Sequence, residues 1–327
     1  MKNRGKCALV TGGAGFIGSH FVDRLLSEGY RVRIIDNFSS GRLENIPHRR
    51  GNPNVEVVVG DLKNKEDSLK TTKDVNVVFH YAANPEVRVS TTNPEIHFSE
   101  NVVATFNLLE AIRKNDVEEM VFASSSSVYG EPKIPVPEDA PIRPMSVYGA
   151  SKASCDALIH AYSSLYCIKA VVLRYANIIG PRLRHAVVYD FMIKLLKNSK
   201  ELEILGDGTQ VRSYMYIDDA VEATLVAWKA SKVNCEVFNV GSEDWITVKE
   251  VADVVTKTLN LDNVKYVYKP VLRGVGWPGD VKRIALAIDK IRNYGFRPSL
   301  TSKEAVRKTV SALKNELQVQ GYRHDAS

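Results

Sequence analysis

The most constraining feature of this chain is a glycine-rich turn set between an apolar segment and an amphipathic one. Residues 7–11 read Cys-Ala-Leu-Val-Thr, and the chain continues Gly12-Gly-Ala-Gly15-Phe16-Ile17-Gly18. Gly13, Gly15 and Gly18 satisfy GxGxxG, and Gly12, Gly15 and Gly18 satisfy GxxGxxG. Glycine is needed there for the tight turn off a strand, for the approach of a pyrophosphate to the backbone, and for close helix packing. Phe21, Val22, Leu25 and Leu26 supply the apolar face of the helix that follows. Its free N–H groups and positive dipole end point back at the turn. A glycine turn alone is common. Flanked in this way, it calls for a parallel α/β unit that holds a dinucleotide.

The rest of the first half repeats the rhythm. Segments 32–36, 55–59, 77–81, 120–124 and 171–175 are short, rich in Val, Ile and Phe, and nearly continuous in apolar character. Strands buried on both faces of a parallel sheet read like this. Helical segments are expected at 17–28, 96–114 and 146–166. The pattern predicts an α/β fold, a Rossmann-type doubly wound parallel sheet with right-handed crossovers. From Ala176 the rhythm changes, with helices expected at 187–196 and 248–259, while 213–217 and 237–240 can return to the first sheet. Two interleaved domains are therefore expected. Residues 1–175 with 213–240 form the cofactor domain, 176–212 with 241–321 form a smaller substrate domain, and 322–327 form a tail.

Composition excludes several classes. With 44% hydrophobic and 25% charged residues, no apolar run is long enough for a membrane span. The formal charge is +6, but Lys and Arg are scattered rather than gathered into a nucleic-acid stripe. Cys7, Cys155, Cys167 and Cys235 lie far apart with no CxxC, so neither a metal site nor a disulfide framework is expected. Lys2, Arg4 and Lys6 precede an apolar stretch, but glycines from Gly12 onward interrupt it, so no secretory leader is expected. A cytoplasmic chain with reduced thiols is the expectation.

Asp36 ends the second strand, where a carboxylate accepts hydrogen bonds from the adenosine ribose hydroxyls and repels a 2′-phosphate. The cofactor expected is NAD, with Asn37 beside it. Asp61-Leu62 follows the third strand. Asp61 either reaches the adenine amino group or caps the helix expected at 64–69.

Tyr148-Gly-Ala-Ser-Lys152 places a phenol and an ammonium four residues apart, on one helix face. A nearby ammonium, aided by a positive nicotinamide ring, favours the phenolate, which then takes a proton from a hydroxyl as hydride leaves the same carbon. Alone this spacing usually marks a solvated helix face. Here a serine run, Ser124–Ser127, ends the fifth strand at the sheet edge where such folds place ligands. Ser125 is the expected partner of Tyr148, with Ser124 and Ser126 as helpers.

At this point the motifs resemble a known family. Thr11 to Gly18, Asp61-Leu62, His80-Tyr-Ala-Ala83, Ser124 to Gly130, Tyr148 to Lys152, Arg174-Tyr-Ala-Asn177, Gly180-Pro-Arg182, Gly206 to Arg212 and Pro278-Gly-Asp280 together are similar to the extended short-chain dehydrogenase/reductases. Within them the likeness is to the nucleotide-sugar epimerases, chiefly those acting on UDP-glucose and UDP-galactose. The resemblance implies a UDP-sugar substrate, NAD held near Ala82, Ala83 and Asn101, and a homodimer pairing the helices at 96–114 and 146–166. It implies that Asn177 and Arg212 bind the diphosphate, Asp280 the uridine ribose, and Val187 and Val188 the uracil. Trp277 stands where the family often has arginine, so either Arg273 supplies that charge or Trp277 stacks on the base. Ser213 replaces a frequent aspartate. Ile284 is expected at the sugar's far side, and Arg88, Arg182 and Arg184 are the cations available for a uronate. Family members that dehydrate or decarboxylate carry an acid before Val-Tyr-Gly, where this chain has Ser126 and Ser127. That points to oxidation followed by re-reduction at one carbon.

Overall fold

The computed structural model of the chain describes residues 5–49 and 51–319. β1 (Cys7–Thr11) runs into α1 (Phe16–Ser27), and β2 (Arg31–Asp36) leads through short turns to β3 (Val55–Val59). Then come α2 (Lys65–Thr72), β4 (Val77–His80), α3 (Glu95–His97), α4 (Ala104–Lys114), β5 (Glu119–Ser125), α5 (Val147–Tyr166) and β6 (Lys169–Tyr175). Next, β7 (Asn177–Ile179), α6 (Ala186–Lys197), β8 (Glu201–Leu205), β9 (Val211–Arg212), β10 (Tyr214–Tyr216) and α7 (Ile217–Ala230) lead to β11 (Cys235–Val240). After these follow β12 (Ile246–Thr247), α8 (Val248–Thr258), β13 (Lys265–Lys269), β14 (Arg283–Ile284), α9 (Asp289–Asn293) and α10 (Ser302–Val319). The tail expected at 322–327 lies outside the described residues. Among the described residues no helix is long and apolar enough to cross a membrane, no group of side chains could hold a metal, and all four cysteines are free.

Seven strands form one wholly parallel sheet in the order β11-β6-β5-β4-β1-β2-β3. This is the doubly wound sheet expected. Side chains alternate between its two faces. Ala8, Val10, Val77 and Phe79 pack with Phe21 and Leu25 of α1, while Leu9, Val78, Met120 and Phe122 pack with Leu108, Ile112 and Ile159 of α4 and α5. β3 is the edge strand, so Val59 is 75% exposed. After β3 the chain returns to the other side of β1 as β4, so strand order reverses between these neighbours. A crevice opens there at the carboxyl ends of the strands.

Two expectations change. Residues 237–240 join the sheet within β11, but 213–217 do not, because β11 takes the outer edge of β6 in a six-residue register. β10 instead pairs with β7. The single helix expected at 96–114 is α3, a π-helical turn at Phe98–Val103, and α4. That turn aims Asn101 inward, where its Nδ2 donates to Ser151 Oγ at 2.9 Å and its Oδ1 accepts from the Asn84 amide at 2.8 Å.

Candidate active site

Two cavities meet at the carboxyl edge of the sheet. The larger, about 550 Å³, is lined by Gly12, Gly15, Phe16, Ile17 and Gly18 of the glycine turn, with Asp36, Asn37, Asp61, Leu62, Ala82 and Ala83. The turn fits a pyrophosphate. Gly12 has φ +64°, and a Cβ on it would stand 2.8 Å from Ala82 Cα; one on Gly18 would stand 2.3 Å from the Gly12 carbonyl oxygen. α1 begins with Gly15 as an N-cap that makes no side-chain hydrogen bond, and no acidic residue follows in its first turn. Its leading amides are thus left for an anion.

At the end of β2 the Asp36 carboxylate accepts from the Ala14 amide at 2.9 Å and the Phe38 amide at 2.8 Å. Burial raises its pKa, and these two bonds oppose the rise. Each oxygen retains accepting capacity for a ribose hydroxyl. Asp61 accepts from the Lys63 amide at 2.9 Å and from Asn37 Nδ2 at 3.2 Å. Burial opposes its charge, but these bonds and the Lys63 ammonium outweigh burial and hold the carboxyl below its usual range. The cap of α2 is Asn64, which accepts from the Glu66 amide, so of the two readings of Asp61 the capping one fails.

Asn101 does not line either cavity; it acts one layer behind, between Asn84 and Ser151.

The smaller cavity, about 300 Å³, is lined by Ser126, Ser127, Val187, Arg212, Trp277, Asp280 and Ile284 among others. Ser125, Tyr148 and Asn177 line both cavities. Ser125 Oγ lies 2.7 Å from Ser127 Oγ, and Ser124 lines the larger cavity. Tyr148 sits in the first turn of α5, donates its amide to Ser90 Oγ at 3.1 Å, and meets His97 ring edge to face at 5.6 Å. Lys152, one turn on, lines the larger cavity and donates to the Ala123 carbonyl at 2.8 Å.

The expected lowering of the phenol by its ammonium neighbour is not what the protein's own groups produce. Burial pushes Tyr148 up to about 12, with the Ser125 hydroxyl pulling the other way. Burial also depresses Lys152, against Cys155 and Asp156.

Arg212 Nη2 donates to Asp280 Oδ1 at 2.7 Å, so the two expected substrate residues form an ion pair with each other. Asn177 Nδ2 donates to the Ser213 carbonyl at 3.1 Å. Val188 is fully buried in the core and lines neither cavity, which corrects its expected place on the uracil. Arg273 is also corrected. It has φ +66° and turns outward to pair with Glu131, leaving Trp277 as the residue that faces the cavity. Arg182 and Arg184 line the larger cavity and are paired with Asp23 and Glu316. Sequence reasoning missed Glu86 and His185, which line both cavities, and Asp190, which lines the smaller one. No local pattern marks them.

The profile of the NAD dependent epimerase/dehydratase family matches residues 8–241. A putative UDP-glucose 4-epimerase of Methanocaldococcus jannaschii is 40% identical over 94% of this chain and 98% of its own length. A crystal structure of a UDP-galactose 4-epimerase is 47% identical with a TM-score of 0.85, covering 95% of this chain and 99% of the other. A UDP-glucuronic acid 4-epimerase from Bacillus cereus, in complex with UDP-glucuronic acid and NAD, is 31% identical with a TM-score of 0.86, over 95% and 99% of the two chains. The chain belongs to the NAD-dependent epimerase/dehydratase family, in the nucleotide-sugar epimerase group of the extended short-chain dehydrogenase/reductases, and its cofactor is NAD.

Proposed function

We propose that the chain interconverts UDP-glucose and UDP-galactose through a transient 4-keto sugar. The observation that carries this reading is the junction, because Ser125 and Tyr148 line both cavities. A sugar held in the smaller cavity meets them where it opens on the larger. Asn177, Val187, Arg212, Trp277 and Asp280 are the residues available to the UDP part. NAD held by the glycine turn and Asp36 would supply the hydride acceptor and donor for C4, and its positive ring would favour the phenolate of Tyr148. Tyr148 accepts the proton of the 4-hydroxyl, Ser125 holds that oxygen, and Lys152 supplies a positive charge behind the phenol. The flat 4-keto sugar turns about its diphosphate link, and Tyr148 returns the proton on the opposite face. The turn at Ser126 and Ser127 offers no carboxylate for a further elimination.

Purified protein given UDP-galactose should form UDP-glucose with no added reductant. Tyr148→Phe should lower the rate by about 10²- to 10⁴-fold while NAD binding is retained. If no UDP-hexose is epimerised with Tyr148 intact, the reading fails. We also propose a homodimer through the outer face of α4 and α5, where Phe106 and Leu165 are exposed. Leu109 of α4 is buried in the monomer's own core and is not available to that face.

A further inference from the structure

The smaller cavity carries three carboxylates, Glu86, Asp190 and Asp280, against two guanidinium groups, Arg88 and Arg212. Arg212 and Asp280 pair with each other at 2.7 Å. Asp190 pairs with Lys194 at 2.8 Å, which leaves Glu86 and Arg88 to set the charge of the rest of the cavity. Glu86 lines both cavities, as Ser125 and Tyr148 do. Its Oε1 accepts from Arg88 Nε at 3.1 Å and from the Arg88 amide at 3.3 Å. The Arg88 guanidinium is therefore already engaged, and Asp190 also favours its charge. His185, on both cavities, is pushed below its usual range by burial against the influence of Glu86, so at neutral pH it adds no full positive charge.

We propose that Glu86 restricts the substrate to UDP-sugars with a neutral C6 group and rejects those that carry a C6 carboxylate. The proposal rests on the 4-epimerase reading above. In that reading the 4-oxygen lies between Ser125 and Tyr148. C6 is attached to the carbon next to C4, so it occupies the same junction, and it crosses that junction again when the ring turns. A hydroxymethyl group there donates a hydrogen bond to Glu86. A carboxylate meets a like charge. At about 5 Å and an effective dielectric of about 20, two such charges oppose binding by about a hundredfold. The Arg88 guanidinium paired with Glu86 at 3.1 Å offsets part of this, and the Glu86 side chain is 39% exposed, so pairing and screening together reduce it to roughly tenfold. Removing its charge also frees Arg88 for a uronate, which acts in the same direction.

The test compares wild type, Glu86→Gln and Glu86→Ala on UDP-galactose and UDP-glucuronate, by kcat/KM and by equilibrium binding of each UDP-sugar. Wild type should prefer UDP-galactose. Glu86→Gln should raise kcat/KM for UDP-glucuronate by about tenfold and lower it for UDP-galactose only a few-fold, with NAD affinity retained. Equal changes on both substrates, as a merely structural role would give, overturn the proposal. So does a wild type that handles UDP-glucuronate as well as UDP-galactose. The binding arm separates the two readings. A protein that turns over neither sugar but binds them with this charge preference, lost in Glu86→Gln, sinks the epimerase reading and keeps Glu86 as the selector. Binding without the preference sinks the selector.

Discussion

Gly12→Ala is the sharpest probe of why this chain needs its glycine turn. Gly12 has φ +64°, and an added Cβ would stand 2.8 Å from both Cα and N of Ala82 and 3.1 Å from the Tyr81 carbonyl carbon. A left-handed backbone costs an L-residue about 1 kcal/mol. The contacts lie well inside the carbon–carbon optimum of roughly 3.5–4.0 Å. Their partners are backbone atoms just past β4, so relief requires the carboxyl ends of β1 and β4 to part. Overpacking of that kind costs about 1–3 kcal/mol. The total is about 2–4 kcal/mol, or roughly 3–6 °C in Tm at about 1.5 °C per kcal/mol for a chain of 327 residues. Gly29→Ala is the control. It has φ +86° with nothing within 4 Å of the added carbon, so it should cost about 1 kcal/mol and leave NAD binding alone. Gly12→Ala should also weaken NAD by about tenfold or more, because parting the strands displaces the amides at the start of α1. Thermal unfolding of both variants, with NADH titration by fluorescence, measures both effects. If Gly12→Ala melts with Gly29→Ala and binds the cofactor like wild type, close approach is not the reason for the glycine.

Three further outcomes are expected. Asp156→Ala should cost about 3–5 kcal/mol in urea unfolding, because it strands Arg174, whose side chain is only 6% exposed and whose Nε bonds Asp156 at 3.1 Å; a loss under 1 kcal/mol would refute this. His80 is buried between Thr11 and Thr105, and burial, helped by Lys152, lowers its pKa from 6.5 to about 3. The unfolded chain therefore takes up the proton first, so this group's stability is complete above 6.5 and is lost toward pH 3 at about 1.4 kcal/mol per unit. Urea midpoints at pH 7 and pH 5 should fall less in His80→Gln than in wild type, and an equal fall counts against the assignment. Leu165 is 71% exposed, and Leu165→Asp should convert the proposed dimer to monomer in light scattering; a monomeric wild type ends that proposal.

What could be read from the sequence was what short-range geometry dictates. The glycine turn, Asp36 at the end of β2, and the one-turn spacing of Tyr148 and Lys152 each carry their constraint within a few residues. The sheet followed because apolar runs too short for helices, each feeding an amphipathic helix, have few other ways to be buried. The limits appear where a role depends on which distant backbone lies alongside. Residues 213–217 were apolar enough to enter the main sheet, but β11 claimed that edge. Arg273 and Trp277 lie four residues apart and were equal candidates until a left-handed turn at Arg273 sent its side chain to Glu131. Spacing put Lys152 and Tyr148 on one face, but not the carbonyl of Ala123 that holds the ammonium.

Glu86 shows why the selector escaped when the catalytic groups did not. Chemistry at C4 needs a phenol, an ammonium and a hydroxyl at fixed mutual distances, and helix spacing after β5 leaves a repeating trace of that need. Discrimination at C6 needs only one charge of the right sign near the junction, and any neighbouring loop can supply it. Here the segment after β4 supplies it, because β4 lies beside β5 in the sheet and its exit shares the carboxyl edge with Ser125. The turn before Val-Tyr-Gly lacks a carboxylate in the sequence, but the folded site has one a strand away. An absence read within one loop therefore speaks to a general acid that must stand at that loop. It does not speak to the electrostatic field of the cavity, which neighbouring strands build together.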